Sequence, residues 1–225
     1  MLKEGKFRAI RNLPIGWVLQ ALHSTDRSEI LFRVVLELCL FVASIILFAE
    51  LFSSYTLIVQ IILAAIFTHT IAWFLTGNFW VYMLDSFKVV TNPGLYGVLD
   101  FVKLSQRWYA KCDCADAILI YGSACRQMFH GRSDLDLRII RRVDTPVGLM
   151  ALVIGYVIRC YSFFIRMPVD LQVVDSMEFL DAQMRDDEMP IVVFKRSGAV
   201  LSHEGVSFEE ILKNPEEMLK EENNG

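Results

Sequence analysis

The sequence predicts an α/β protein in two parts: a two-helix transmembrane hairpin, then a domain built on a small mixed sheet. Three observations predict it. From Leu51 to Leu84, a run of 34 residues, there is no Asp, Glu, Lys or Arg, and roughly 20 apolar residues suffice to cross a bilayer. The mean hydropathy, +0.41, is high for a freely soluble enzyme. Beyond the turn signal Asn92-Pro93-Gly94, helical spacing and period-two alternation follow each other along the chain.

The N-terminal segment, 1–29, is expected on the cytosolic side. Its apolar stretch Leu13 to Leu22 is short and lacks a small-residue cleavage site, so it is not a cleavable signal. That stretch is an amphipathic helix on the membrane face or a loop. The hairpin and its collar occupy 30–84. One helix covers 30–50 and a second covers 56–76, joined by a tight turn near Ser53 and Ser54. Phe79, Trp80 and Tyr82 then read as an aromatic collar at the headgroup layer.

Basic residues orient the hairpin. Lys3, Lys6, Arg8, Arg11, Arg27 and Arg33 precede it; Lys88, Lys103, Arg107 and Lys111 follow it; the turn has none. The positive-inside rule then places both termini and the second domain in the cytosol, with two spans. Glu37 and His69 fall inside the spans. Glu37 can pair with Arg33 four residues away, and His69 can be neutral and bonded to its neighbour helix, so two spans give no case for transport.

In the second domain, 93–205, Leu95, Val98, Leu99, Val102 and Trp108 set a helix. Ala117 to Tyr121 reads as a buried strand that stops at Gly122-Ser123, where a helix is expected to open. Ser133 to Ile140 alternates and reads as a second strand. Asp144-Thr145-Pro146 starts a helix running to about Phe164. Val169 to Val174 alternates again; Ile191 to Phe194 and Val200 to Leu201 are short strands. The acidic C-terminal tail is 206–225, and from Pro215 it is expected to fray. Val147 to Ile165 carries only Arg159 as a charge and by length could be a third span. It is assigned to the sheet, because a span there would put Asp170 across the bilayer from Asp134 and Asp136.

The charge balance, 22 basic against 26 acidic residues, provides no general polyanion-binding surface. Five cysteines make an odd set, and Cys112 and Cys114 are too close in sequence for the usual zinc spacing. They read as reduced, unpaired thiols.

Asp134 and Asp136 are two apart on the second strand, so their carboxylates project from one face. Asp170 has the same alternation on the third strand. Neighbouring carboxylates repel unless a cation stands between them, and Mg²⁺ takes hard oxygen ligands together with substrate phosphates. Three acids around one or two divalent ions recur in nucleotidyl transfer. Gly122 lets a phosphate approach the backbone, and Ser123 adds a hydroxyl donor.

Gly122-Ser123-Ala124-Cys125-Arg126 followed by Ser133-Asp134-Leu135-Asp136 resembles the signature of the nucleotidyltransferase superfamily that includes DNA polymerase beta, and its minimal branch most closely. The resemblance covers roughly residues 95–205, with Asp170 matching the third acid and Glu188 to Leu201 the closing segment. Cys125 stands for a frequent alanine and Gln127 for a common glycine, which stiffens the loop. Arg126 is retained as a phosphate contact or a surface ion pair. His130, between the motifs, reads as a solvated loop histidine.

The resemblance implies a two-metal mechanism with Mg²⁺, or Mn²⁺ in its place. Asp134 and Asp136 bind the metal that orients a nucleoside triphosphate such as ATP. An acceptor hydroxyl attacks the α-phosphorus, pyrophosphate leaves, and Asp170 binds the second metal and helps deprotonate the acceptor. Gly122, Ser123 and Arg126 hold the phosphates. The acceptor is a protein, a small molecule or a lipid-linked group, and membrane lipid surrounds the hairpin. No template nucleic acid is expected, since no strongly basic groove or second domain is evident. The alternative is an antitoxin-like or catalytically silent module that binds a toxin-like protein partner.

Overall fold

The computed structural model describes residues 16–18, 25–76, 78–87, 91–183 and 188–219. Lys3, Lys6, Arg8, Arg11, Lys88, most of the Leu13–Leu22 stretch and the last six residues of the acidic tail lie outside these.

Two long apolar helices form the hairpin: α1, Arg27–Leu51, and α2, Leu57–Leu75. Asp26 caps α1 by accepting from the Ser28 N–H at 3.1 Å. Polar contacts join the helices where apolar side chains alone would leave their register open. Thr68 donates to Ser44 at 2.8 Å, His69 Nδ1 lies 2.6 Å from Glu37, and Gln60 Nε2 donates to the carbonyls of Phe52 and Tyr55 across the turn. His69 Nε2 meets the Trp17 carbonyl at 3.0 Å. Glu37 is thus taken by His69, while Arg33 pairs with Glu29.

The aromatic collar is helical: α3 spans Asn78–Phe87. Phe74 stacks on Phe163, Phe79 meets both edge-on, Trp80 lies tilted over Phe163, and Trp80 Nε1 donates to the Phe163 carbonyl at 2.8 Å. Their rings therefore join the hairpin to the second domain.

That domain is a small mixed α/β fold. Helix α4, Gly94–Cys112, leads into strands β1, Ala115–Tyr121, and β2, Leu135–Arg141. A 3-10 turn at Pro146–Gly148 opens α5, Leu149–Phe164, which returns the chain to β3, Val169–Val174. Then come α6, Met177–Asp181; β4, Ile191–Lys195; β5, Val206–Ser207; and α7, Phe208–Lys213. The strand order is β3-β2-β1-β4-β5. β1 runs antiparallel to both neighbours, and the β2–β3 and β4–β5 pairs are parallel.

Alternation divides the sheet into two faces. Ile118, Ile120, Leu135, Leu137, Ile139, Val169, Leu171 and Val173 meet α4 and α5 in the main core. Gly155 lets α5 come close to β3, because a Cβ there would lie 2.9 Å from Val173 Cγ2. The opposite face carries Ala117, Leu119 and Tyr121 of β1 with Ile140 and Val174, partly covered by Leu180 of α6. The acidic motif residues lie on this second face.

Three sequence expectations need correction. The helix expected to open at Gly122 is a run of turns over 122–127. The last strand is at 206–207, not 200–201, and the chain from Pro215 forms a 3-10 turn rather than fraying there, with Met218 in the core beside Phe208 and Ile211. The third correction concerns membrane crossing. Instead of two helices long and apolar enough to span, the described residues contain three: Arg27–Leu51, Leu57–Leu75 and Pro146–Phe164. The third lies well past the N-terminus, and with an odd count the placement of both termini in the cytosol no longer follows. This helix is the crossover between parallel β2 and β3. It buries Ala151, Leu152, Ile154 and Ile158 while exposing Leu149, Val153, Val157 and Phe164. The long apolar helices are consistent with a membrane-proximal hairpin.

Candidate functional site

Strand register brings the acids together. Asp136 of β2 pairs with Asp170 of β3 on one side and with Tyr121 of β1 on the other. All three stand at the same end of the sheet, where β1 ends in the Gly122 turn. Asp134 precedes β2 by one residue and is half-buried.

Gly122 meets this row. Its φ is 71°, in the left-handed region, and a Cβ on it would lie 1.9 Å from Asp136 Oδ2. Glycine is thus required by both the backbone and the carboxylate packed on it. The turn closes with the Arg126 N–H on the Gly122 carbonyl at 3.3 Å and the Met128 N–H on the Ser123 carbonyl at 2.9 Å. Gln127 is itself left-handed, with φ 56°. Arg126 braces the turn from its side chain, Nε to the Gly122 carbonyl at 3.2 Å, and pairs with Glu188 at 3.4 Å. It is an ion-paired arginine here. The exposed His130 bonds Ser133 within the loop. Asn92 Nδ2 ties the same loop down through the carbonyls of His130 and Ser133, each at 2.8 Å.

Four further residues complete the face. Arg138 and Gln172 lie two residues beyond Asp136 and Asp170 and pair with each other in register. Arg138 Nη2 donates to Asp136 Oδ1 at 3.1 Å and to Asp170 Oδ2 at 2.8 Å, and Nη1 donates to the Asp170 carbonyl at 2.6 Å. Glu188 and Tyr121 are the other two. The alternation that revealed the aspartates extends to Arg138 and Gln172, so these were within reach of the sequence. No local pattern marks Glu188.

The electrostatics follow from crowding. Burial pushes the Asp136 carboxyl up to about 7; Arg138 opposes this, while Asp134, Asp170 and Glu188 add to it. Burial also works against charge on Arg138, but Asp170 and Asp136 outweigh it and hold the guanidinium charged. The two partners thus respond unequally, because Arg138 divides its charge between two acids and Asp136 faces three. The Cys125 thiol is pushed up to about 12 by burial, then by Glu188, so it is a neutral thiol and not a nucleophile.

Among the described residues, no three His, Cys, Asp or Glu side chains are placed to hold a metal as they stand. The donor chemistry nevertheless fits a hard divalent cation. Three carboxylates surround that of Asp136, all four offer oxygen donors, and negative charge exceeds what Arg138 neutralises. Buried side-chain atoms without a hydrogen-bond partner point the same way. Among the described residues they include the oxygens Tyr121 Oη, Ser123 Oγ and Gln172 Oε1, all from residues on this face or in the turn beside it. Buried polar atoms are rarely left unpaired, and such a group is accounted for by a ligand, ion or water that the face receives. Asp134 and Asp136 are the residues that would hold the cation, with Asp170 beside them.

The chain matches no protein-family model, no curated protein and no solved structure.

Proposed function

We propose that this protein is a membrane-associated, metal-dependent nucleotidyltransferase that moves a nucleoside monophosphate from a nucleoside triphosphate to an acceptor hydroxyl. The observation that carries the reading is the pairing of Asp136 with Asp170 across parallel strands, with Gly122 packed under Asp136. A site assembled by register in this way holds its carboxylates on rigid strands, which suits chemistry that depends on position.

Mg²⁺ or Mn²⁺, held by Asp134 and Asp136 with Asp170, would offset charge on the triphosphate and on the reacting oxygens. The chain's own part begins with the Gly122-Ser123 turn. The unpartnered Ser123 hydroxyl there receives the outer phosphates. Asp170, whose backbone carbonyl is held by Arg138 Nη1 and whose carboxylate is reached by Gln172 Nε2, accepts the proton of the acceptor hydroxyl. The acceptor oxygen then bonds to the α-phosphorus as the bond to the β-phosphate oxygen breaks, and pyrophosphate leaves. The hairpin favours an acceptor at the bilayer, whether a protein, a small molecule or a lipid-linked group.

The test is label transfer from α-labelled nucleoside triphosphates in membranes containing the full chain. Label that depends on Asp134 and Asp136, lost in the D134A/D136A double variant, supports the reading and identifies the acceptor. A second reading is an antitoxin-like or catalytically silent module of the same fold that acts by binding a protein. The guanidinium between Asp136 and Asp170 favours it. Absence of label together with absence of nucleotide and Mn²⁺ binding would move the assignment there.

A further inference from the structure

Two carboxylates facing each other across adjacent strands need a positive charge between them, and the chain supplies one. Arg138 is 5% exposed, and its Nη2 bridges Asp136 Oδ1 and Asp170 Oδ2. A divalent cation sits roughly 2.0–2.1 Å from its oxygens, so it and Nη2 cannot occupy the gap together. Nη1 is held differently. It donates to the backbone carbonyls of Asp170 at 2.6 Å and Leu137 at 3.4 Å. The guanidinium therefore keeps an anchor that involves neither carboxylate when Nη2 leaves them.

We propose that Arg138 is an internal counter-ion that competes with the divalent cation for Asp136 and Asp170, so that the site binds the cation more weakly than the carboxylates alone would. This rests on the reading of these carboxylates as metal ligands. Without metal, Arg138 keeps the two acids together. With metal, Nη2 withdraws and pivots on the backbone carbonyls. An arginine that served only to position the carboxylates would act in the opposite sense, since its removal would loosen the ligands and weaken metal binding.

The experiment is Mn²⁺ binding to the full chain in detergent, with Mn²⁺ alone as the probe. It is read as loss of the free-ion electron paramagnetic resonance signal. R138Q removes the charge and keeps a similar reach; R138K keeps the charge but not the fork. Folding of each variant is checked by circular dichroism. Removal of a unit charge from beside the ligands is expected to tighten Mn²⁺ binding roughly tenfold or more in R138Q. R138K, with one donor in place of the fork, is expected to tighten it about threefold, and it decides the matter if R138Q does not fold. D134N/D136N is expected to bind none. Equal or weaker binding in the folded arginine variants overturns the counter-ion while leaving the metal site in place. No binding in wild type or in the arginine variants overturns both.

Discussion

Glu29 joins the hairpin to the strand that carries Asp170, and its removal is the perturbation with the most to say about the fold. Its carboxylate is fully buried. It accepts from Arg33 Nε at 2.9 Å, from Arg159 Nη2, and from the Val173 N–H at 2.7 Å. Val173 lies on β3, the edge strand, so a side chain takes the place of a missing strand. Asp26 does the same two residues on, accepting from the Asp175 N–H at 3.3 Å. Glu29→Ala leaves Arg159, 1% exposed, and Arg33, 8% exposed, without this carboxylate. Breaking a buried ion pair from one side costs about 3–5 kcal/mol. For a chain of this size that is a fall of about 6–20 °C in thermal midpoint. The assay is thermal unfolding of the full chain in detergent, followed by circular dichroism. E29M/R159M replaces both partners with apolar side chains and is expected to lose less than the sum of the two single changes. A fall below about 3 °C for E29A would refute the reasoning, because the network would then hold nothing together that matters to folding.

Three other outcomes are expected. Gly122→Ala puts a Cβ 1.9 Å from Asp136 Oδ2 at a left-handed position; the backbone alone costs about 1–2 kcal/mol, or roughly 2–8 °C in midpoint, and Mn²⁺ binding should be lost with the displaced carboxylate. Gln127→Gly relieves the left-handed backbone at an exposed side chain and should stabilise by about 0.5–1 kcal/mol net, checked by denaturant unfolding. Asp136 has a pKa of about 7 in the fold against 3.8 as its ordinary value, so the unfolded chain gives up this proton first. The Asp136 contribution to stability in chelator is therefore fully present below about pH 4 and lost as pH rises through about 7, so wild type should fall more than D136N over that window, measured as thermal midpoint against pH.

Local periodicity made much of the molecule legible. The apolar stretch before Leu51 and the uncharged run from it become α1 and α2; alternation located β2 and β3, and short apolar runs located β1 and β4, within a few residues. Alternation also placed Asp136 and Asp170 on the face of their strands turned away from the main core. It did so because the side-chain period of a strand is a property of its backbone, independent of what the strand packs against.

What depends on pairing between distant segments was not legible. Apolar length does not distinguish a helix that lies on a sheet from one that crosses lipid, so Pro146–Phe164 satisfies both descriptions. The turn at Gly122 has the residues of a helix start but closes on Asp136 rather than propagating. Arg138 is visible as the next residue on the acidic face, yet its hold on two carboxylates exists only because β2 and β3 pair in register. Glu29 and Arg159 are 130 positions apart. By itself the sequence determined which residues face outward from each element and which segments are apolar enough for a membrane, since those follow from backbone geometry and composition. Only the tertiary structure decided which outward residues meet, because strand order and helix docking are set by the packing of the whole core rather than by any one segment.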